Sequence, residues 1–235
     1  MKRMQLNRSR VIGMTLALAL CAAVPALGQV EFTFEGYAAY APGTDQAGAT
    51  VTVYGIANPP VSVPTPIPVD FASNQYTVAI TGMVVDTYVF NGVAQTKNYV
   101  FDGGTLRIYE DAIGGGTAGN YAAPATFTDG TLLLQAAVDD GWTMDLNDPF
   151  GFGQFSGAGI GTCDMNGGSE LGTLVGMDYP LNDWTFAGTG IAEPWFPFFT
   201  VPAGYHHLFG VKVIFPYDPT PNEDASWGQV KTLFR

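Results

Sequence analysis

The densest chemistry in the chain is Asp139-Asp140-Gly141-Trp142-Thr143-Met144-Asp145-Leu146-Asn147-Asp148, with four carboxylates and an amide in ten residues. Hard cations take such oxygen ligands, so Asp139, Asp140, Asp145, Asn147 and Asp148 are candidate calcium ligands. The spacing is not that of an EF-hand, because Pro149 and Phe150 fall where that loop needs a ligand and a glycine. Asp164-Met165-Asn166-Gly167-Gly168-Ser169-Glu170 is a second oxygen-rich stretch with the same departure. For both, a solvated turn is the competing reading.

Aromatic residues offer a different chemistry. Trp142, Trp184 and the run Trp195-Phe196-Pro197-Phe198-Phe199 supply rings for a sugar or another apolar-faced ligand. Trp142, Trp195, Phe196 and Phe198 are the candidate ligand contacts, and the alternative is that these rings fill the core. Pro197 keeps the run out of a central strand, which favours a loop for some of them. Hydrolysis of a glycosidic bond is the enzymatic alternative, and Glu110, Asp111, Glu170 and Glu193 are the carboxylates for it. Such a pair is defined by a separation of roughly 5–10 Å.

Other catalytic patterns fail on detail. Gln154-Phe155-Ser156-Gly157-Ala158, which has Gln where the nucleophile-elbow pattern opens on glycine, and Gly167-Gly168-Ser169-Glu170-Leu171, which has Leu where it closes on glycine, both miss that pattern. Gly114-Gly115-Gly116-Thr117-Ala118-Gly119 has dinucleotide-loop spacing without the strand and helix that give it meaning, so it reads as a flexible loop. His206 and His207 are the only histidines, and neighbours on a strand point to opposite faces, so they do not share a metal. No catalytic residue is assigned.

The elements that must position these residues are strands. Runs rich in β-branched and aromatic residues occur at 32–40, 50–54, 76–90, 96–101, 105–109, 131–138, 173–177, 185–187 and 207–215. Asn91-Gly92 predicts a two-residue hairpin turn, and Asp102-Gly103, Asp129-Gly130, Asp140-Gly141 and Asn166-Gly167 predict further turns. The pattern predicts an all-β fold, an antiparallel β-sandwich or closed barrel. A porin-like barrel fits poorly, because Val78-Ala79-Ile80 and Met83-Val84-Val85 are apolar on both faces. Prolines at 59, 60, 64, 66 and 68 predict an extended loop or edge crossing.

Compartment and charge come from the N-terminus. Lys2, Arg3, Arg8 and Arg10 precede the apolar run Val11 to Val24, and Ala26-Leu27-Gly28 has the small-residue spacing of a signal-peptidase site. Residues 1–28 are therefore expected to be a signal peptide, with cleavage before Gln29. Lipidation at Cys21 is disfavoured by Leu20 where a small residue is needed. Pro25 and Gly28 cut the run short of the roughly 20 apolar residues of a membrane span, and no later stretch reaches that length. The remainder carries five basic against 21 acidic residues. That excess argues against nucleic acid and anionic membrane as partners. Cys163 is the one cysteine left, so no intrachain disulfide is expected. Roughly 207 residues suit one core, expected over 29–218.

Two segments carry a resemblance. Phe101-Asp102-Gly103-Gly104-Thr105-Leu106-Arg107-Ile108-Tyr109-Glu110-Asp111 and Ala125-Thr126-Phe127-Thr128-Asp129-Gly130-Thr131-Leu132-Leu133-Leu134, with Trp184-Thr185-Phe186-Ala187-Gly188, resemble strands of exported bacterial β-domains found upstream of PEP-CTERM sorting tags. The resemblance implies export and an all-β fold, and no activity or catalytic residue. The tag itself does not follow. The Asp-Gly stretches at 102–106 and 129–132 also resemble each other and read as two hairpin turns.

After the Pro-containing stretch 216–221, Ser226-Trp227-Gly228-Gln229 has the form of a capping box. It predicts a short amphipathic helix within 219–235, with Trp227, Val230 and Phe234 on one face. Docking on the sheet and a sorting tail are the alternatives. The expectation for the whole is a non-enzymatic exported domain, periplasmic, cell-surface or extracellular, with a structural or ligand-binding role. Calcium is the candidate cofactor, a polysaccharide or an envelope component the candidate partner, and a secreted glycoside hydrolase is the alternative.

Overall fold

The computed structural model describes residues 31–58, 67–113, 118–177, 179–194 and 200–214. The signal peptide expected at 1–28, most of the Pro-rich stretch, Trp195 to Phe199 and the C-terminal helix expected within 219–235 lie outside the described residues.

The strands are β1 (Glu31–Ala41), β2 (Thr50–Ala57), β3 (Asn74–Asn91), β4 (Thr96–Asp102), β5 (Thr105–Ala112), β6 (Thr131–Val138), β7 (Trp142–Asn147), β8 (Ser156–Gly167), β9 (Trp184–Ala192) and β10 (His207–Ile214). Every pairing is antiparallel, and β10 returns to β1 in the register Glu31↔Ile214 to Ala38↔His207. The sheet is thus a closed barrel, which decides between the two expected architectures.

Ten strands make eight staves because two staves are bent. β4 and β5 both pair with the long β3, end to end, and β6 and β7 do the same along β8. The bend between β4 and β5 is Gly103-Gly104, at φ 62° and 112°, a region glycine enters without penalty. The bend between β6 and β7 is Asp139-Asp140-Gly141. The two are tied together: Val138 N donates to Gly104 O (3.0 Å), Gly141 N to Phe101 O (2.9 Å) and Gly103 N to Asp140 Oδ1 (2.8 Å). Closing a small barrel requires such corners. The Asp102-Gly103 stretch is therefore a bend inside one stave and not the hairpin turn expected.

Alternation puts one face of each stave inside, where apolar side chains fill the barrel. Trp142 lies at the centre, its ring 4.6 Å from Phe101, 5.4 Å from Phe186 and 5.9 Å from Phe209. β8 makes room for it. A Cβ on Gly161 would lie 2.3 Å from Trp142 Cδ1, and one on Gly159 2.5 Å from Cζ2. The upper end carries the β1–β2, β3–β4 and β7–β8 connections and the chain on either side of 195–199. The lower end carries the β5–β6 connection, which wraps the outer wall and seats Phe127 over Thr77, whose Oγ1 donates to Phe127 O (3.0 Å).

Three local expectations are corrected. Residues 173–177 were expected as a strand; instead a short helix, α1 (Leu171–Gly176), buries Leu174. Thr173 N and Leu174 N both donate to Glu170 O, closing a helical turn. Asn91-Gly92 opens a four-residue connection in which Asn91 Oδ1 accepts from Val93 N and Ala94 N and Gln95 takes φ 53°. Phe127 ends a 3-10 turn (Pro124–Phe127) in place of a strand, because Pro124 lacks the donor a ladder needs. Among the described residues no helix is long and apolar enough to cross a membrane.

Candidate functional site

The upper mouth collects polar side chains that the inward alternation of four staves delivers: Tyr40 from β1, Lys97 and Tyr99 from β4, Glu193 just past β9 and His207 from β10. Lys97 Nζ bonds Glu193 Oε1 at 2.5 Å and Asp45 Oδ2, from the β1–β2 loop, at 3.2 Å. Tyr99 Oη donates to Asp45 Oδ1 at 2.8 Å. The ammonium also sits 4.4 Å from the centre of the Phe155 ring. Burial opposes the charge on Lys97, but the Glu193 and Asp45 carboxylates outweigh it and raise its pKa. Burial, reinforced by the same carboxylates, pushes the Tyr40 and Tyr99 phenols up, so both stay protonated.

His207 is fully buried, with Nε2 3.6 Å from Glu193 Oε1, beyond hydrogen-bond reach. Neither of its ring nitrogens has a hydrogen-bond partner, and neither has the Tyr40 hydroxyl, whose ring lies 5.0 Å away. His206 points elsewhere and accepts from Tyr40 N at 3.1 Å. The two histidines therefore diverge as the strand period requires. Both mouth carboxylates are tied to one ammonium, which leaves neither placed as a free acid or base beside a nucleophile.

Beside this mouth stands the β7–β8 loop. Asp148 is buried, and its carboxylate accepts from the N–H groups of Phe150 (3.2 Å), Gly151 (2.9 Å), Gly153 (2.5 Å) and Gln154 (3.2 Å). Those backbone bonds outweigh the burial that opposes its charge and hold the Asp148 carboxyl below its ordinary pKa. Gly151 and Gly153, at φ 71° and 76°, let the chain curl around it. The braced loop turns Phe150 and Phe152 outward, 64% and 71% exposed, with stacked rings 6.2 Å apart. The adjoining β3–β4 hairpin adds exposed Phe90, whose ring meets Phe155 at 6.0 Å.

The expected calcium run does not assemble. Trp142 to Asn147 is a strand, so Asp145 and Asn147 lie on its outer face while Asp148 turns inward to its loop. Asp145 accepts from Asn98 Nδ2 (2.5 Å) and Asp140 from Gly103 N. Only Asp139 meets other carboxylates. It joins Asp164 of β8 and Asp183, just before β9, with one oxygen of each within 4.8 Å of the others on the outer wall. Asp139 also accepts from Thr162 Oγ1, and Asp183 N donates to Asp164 Oδ1 at 2.9 Å. Asp164 came from the second oxygen-rich stretch; Asp183 had no local signal, because only the β8–β9 pairing brings it there.

Trp142 and Trp184 are buried in the core, away from solvent. Trp195, Phe196 and Phe198 lie outside the described residues. The four hydrolase carboxylates do not gather. Glu110 and Asp111 are consecutive at the lower end of β5, Glu170 opens α1, and Glu193 is at the upper mouth. Glu110 accepts from Asn74 Nδ2 and Tyr76 Oη, both at 2.8 Å. Phe150, Phe152 and Lys97 were not singled out from the sequence. The Asp-Pro-Phe-Gly-Phe-Gly pattern at 148–153 was the available signal, since an aspartate before closely spaced glycines favours a side-chain-capped loop.

No protein-family model, curated protein or solved structure matches the chain.

Proposed function

We propose that this chain is an exported, non-enzymatic barrel domain of the cell envelope or extracellular matrix, and that its upper mouth binds glycan. The observation that carries the reading is the Asp148-braced loop. Two aromatic rings held in water by a pre-ordered backbone lose little entropy when a sugar ring stacks on them. The filled interior supports a rim site over a site inside the barrel. The leader at 1–28 and the resemblance to exported PEP-CTERM-associated domains support export. The acidity supports a neutral or cationic partner over nucleic acid.

The test is a glycan array followed by calorimetry, with Phe150→Ser and Phe152→Ser as the variants. Both rings are largely exposed, so each variant should melt within about 2 °C of the parent while losing binding. Binding that survives both substitutions removes this loop from the reading, and an array with no hits removes glycan.

A second reading, calcium binding, is favoured by the Asp139, Asp164 and Asp183 oxygens. Calcium added to chelated protein should raise the melting temperature and slow hydrogen exchange near these three residues. An unchanged melt in calcium, with normal response to other conditions, leaves the trio a solvated acidic patch. The glycoside hydrolase alternative has weaker support, because Lys97 binds both mouth carboxylates.

A further inference from the structure

At the lower end of the barrel, away from the mouth, a pocket of about 370 Å³ opens between β2, β3 and β5. Its apolar wall includes Ile56, Phe71 and Ile113, and its polar wall is Asn74, Gln75, Tyr76 and Asp111. Most of that polar wall is already engaged. Gln75 Oε1 accepts from Gly119 N (2.8 Å), Asn74 Nδ2 and Tyr76 Oη both donate to Glu110 Oε1, and Tyr76 Oη accepts from Asp70 N (2.7 Å).

Asp111 is the exception. It is 8% exposed, and its Oδ2 is buried with no hydrogen-bond partner. The backbone of Gly130 presses on the other oxygen, where a Cβ would come within 2.5 Å of Oδ1. Among the described residues no lysine, arginine or histidine lines the pocket. The nearby charge is of the same sign, since burial and then Asp129 raise the Asp111 pKa. A buried carboxylate without a donor is a standing penalty, and a cation removes it.

We propose that this pocket binds a small organic ammonium, its charge against Asp111 and its apolar body against Phe71, Ile56 and Ile113. The volume is at the small end of the range of roughly 300–1,000 Å³ for small-molecule sites, which suits a single ring or short chain. Glu110 and Asp129 add to the negative potential, and the aromatic Phe71 adds a cation-favouring face.

Benzylammonium and its neutral counterpart benzyl alcohol are the probes, titrated into the protein and followed by amide chemical shifts. Benzylammonium should perturb residues 56–57, 71–76 and 111–113 and bind at least about tenfold more tightly than the alcohol, the ratio expected for a hydrogen bond to a buried charge. Asp111→Asn preserves shape and should bring the two affinities together. Equal affinities in the parent protein overturn the proposal without recourse to any variant. So does an Asp111→Asn protein that folds and still prefers the amine, or a titration that perturbs none of these residues. Binding here is independent of Phe150 and Phe152, so its failure leaves the mouth reading untouched.

Discussion

Replacing Gly161 by alanine tests whether β8 is a strand because its missing side chains are supplied by Trp142. The added methyl would stand 2.3 Å from Trp142 Cδ1 and 2.9 Å from both Cβ and Cγ, distances real atoms do not reach. The indole is held by Phe101, Phe186 and Phe209 and cannot swing away. Overpacking of this kind costs about 2–3 kcal/mol. For a chain of this size the melting temperature should fall by about 5–10 °C. Trp142→Leu costs about 3–5 kcal/mol by itself, because a closed barrel cannot collapse onto the space left. In that background, however, Gly161→Ala no longer meets the indole Cδ1, its nearest neighbour, and the 142 side chain is a branch free to change rotamer. Its cost should drop below about 1 kcal/mol, a coupling of about 2 kcal/mol. Urea unfolding followed by circular dichroism, at constant m-value, measures all four corners of the cycle. Equal costs of Gly161→Ala in the two backgrounds, within about 0.5 kcal/mol, would refute the indole-for-side-chain account.

Lys97→Met should destabilise by about 2–3 kcal/mol, less than for a fully buried pair because the Asp45 side chain is 44% exposed; a neutral result in urea would mean that water already screens the mouth. Burial lifts the Cys163 thiol from its ordinary 9.0 to about 12 and holds the Tyr40 and Tyr99 phenols above their ordinary 10.0. Groups raised in the folded state contribute stability that is complete below their unfolded values, so stability should fall as pH rises above about 9. Cys163→Ala should flatten the first part of that decline, and an unchanged alkaline profile would count against it. Cys163 should also resist maleimide until urea opens the barrel, as a buried protonated thiol must. On the acid side, Asp70 and Asp148 are lowered by the hydrogen bonds they accept, so their contribution is present above about 3.8 and lost as pH falls; Asp148→Asn should reduce this slope in an acid melt.

Period-two patterning and turn residues were enough to establish the all-β class and eight of the ten strands, because β-branched and aromatic alternation is local information. The acidity, and Cys163 as the one cysteine after residue 28, were equally plain. β7 was hidden because its Asp145, Asn147 and neighbouring Asp140 read as a cation loop. β8 was hidden because Ser156-Gly157-Ala158-Gly159-Ile160-Gly161 has no inward side chains of its own, so its strand identity depends on a tryptophan from β7. Closure was likewise a tertiary decision: either a sandwich or a barrel satisfies the same alternation, and only the pairing of β1 with β10 and the glycine bends within two staves select the barrel. The same holds for the sites. Asp139, Asp164 and Asp183 meet because three staves place them side by side, and Lys97 meets Asp45 and Glu193 across 52 and 96 residues of chain. Residue type is written in the chain, but the partners that set a carboxylate's charge and reach come from strand register, which long-range packing decides.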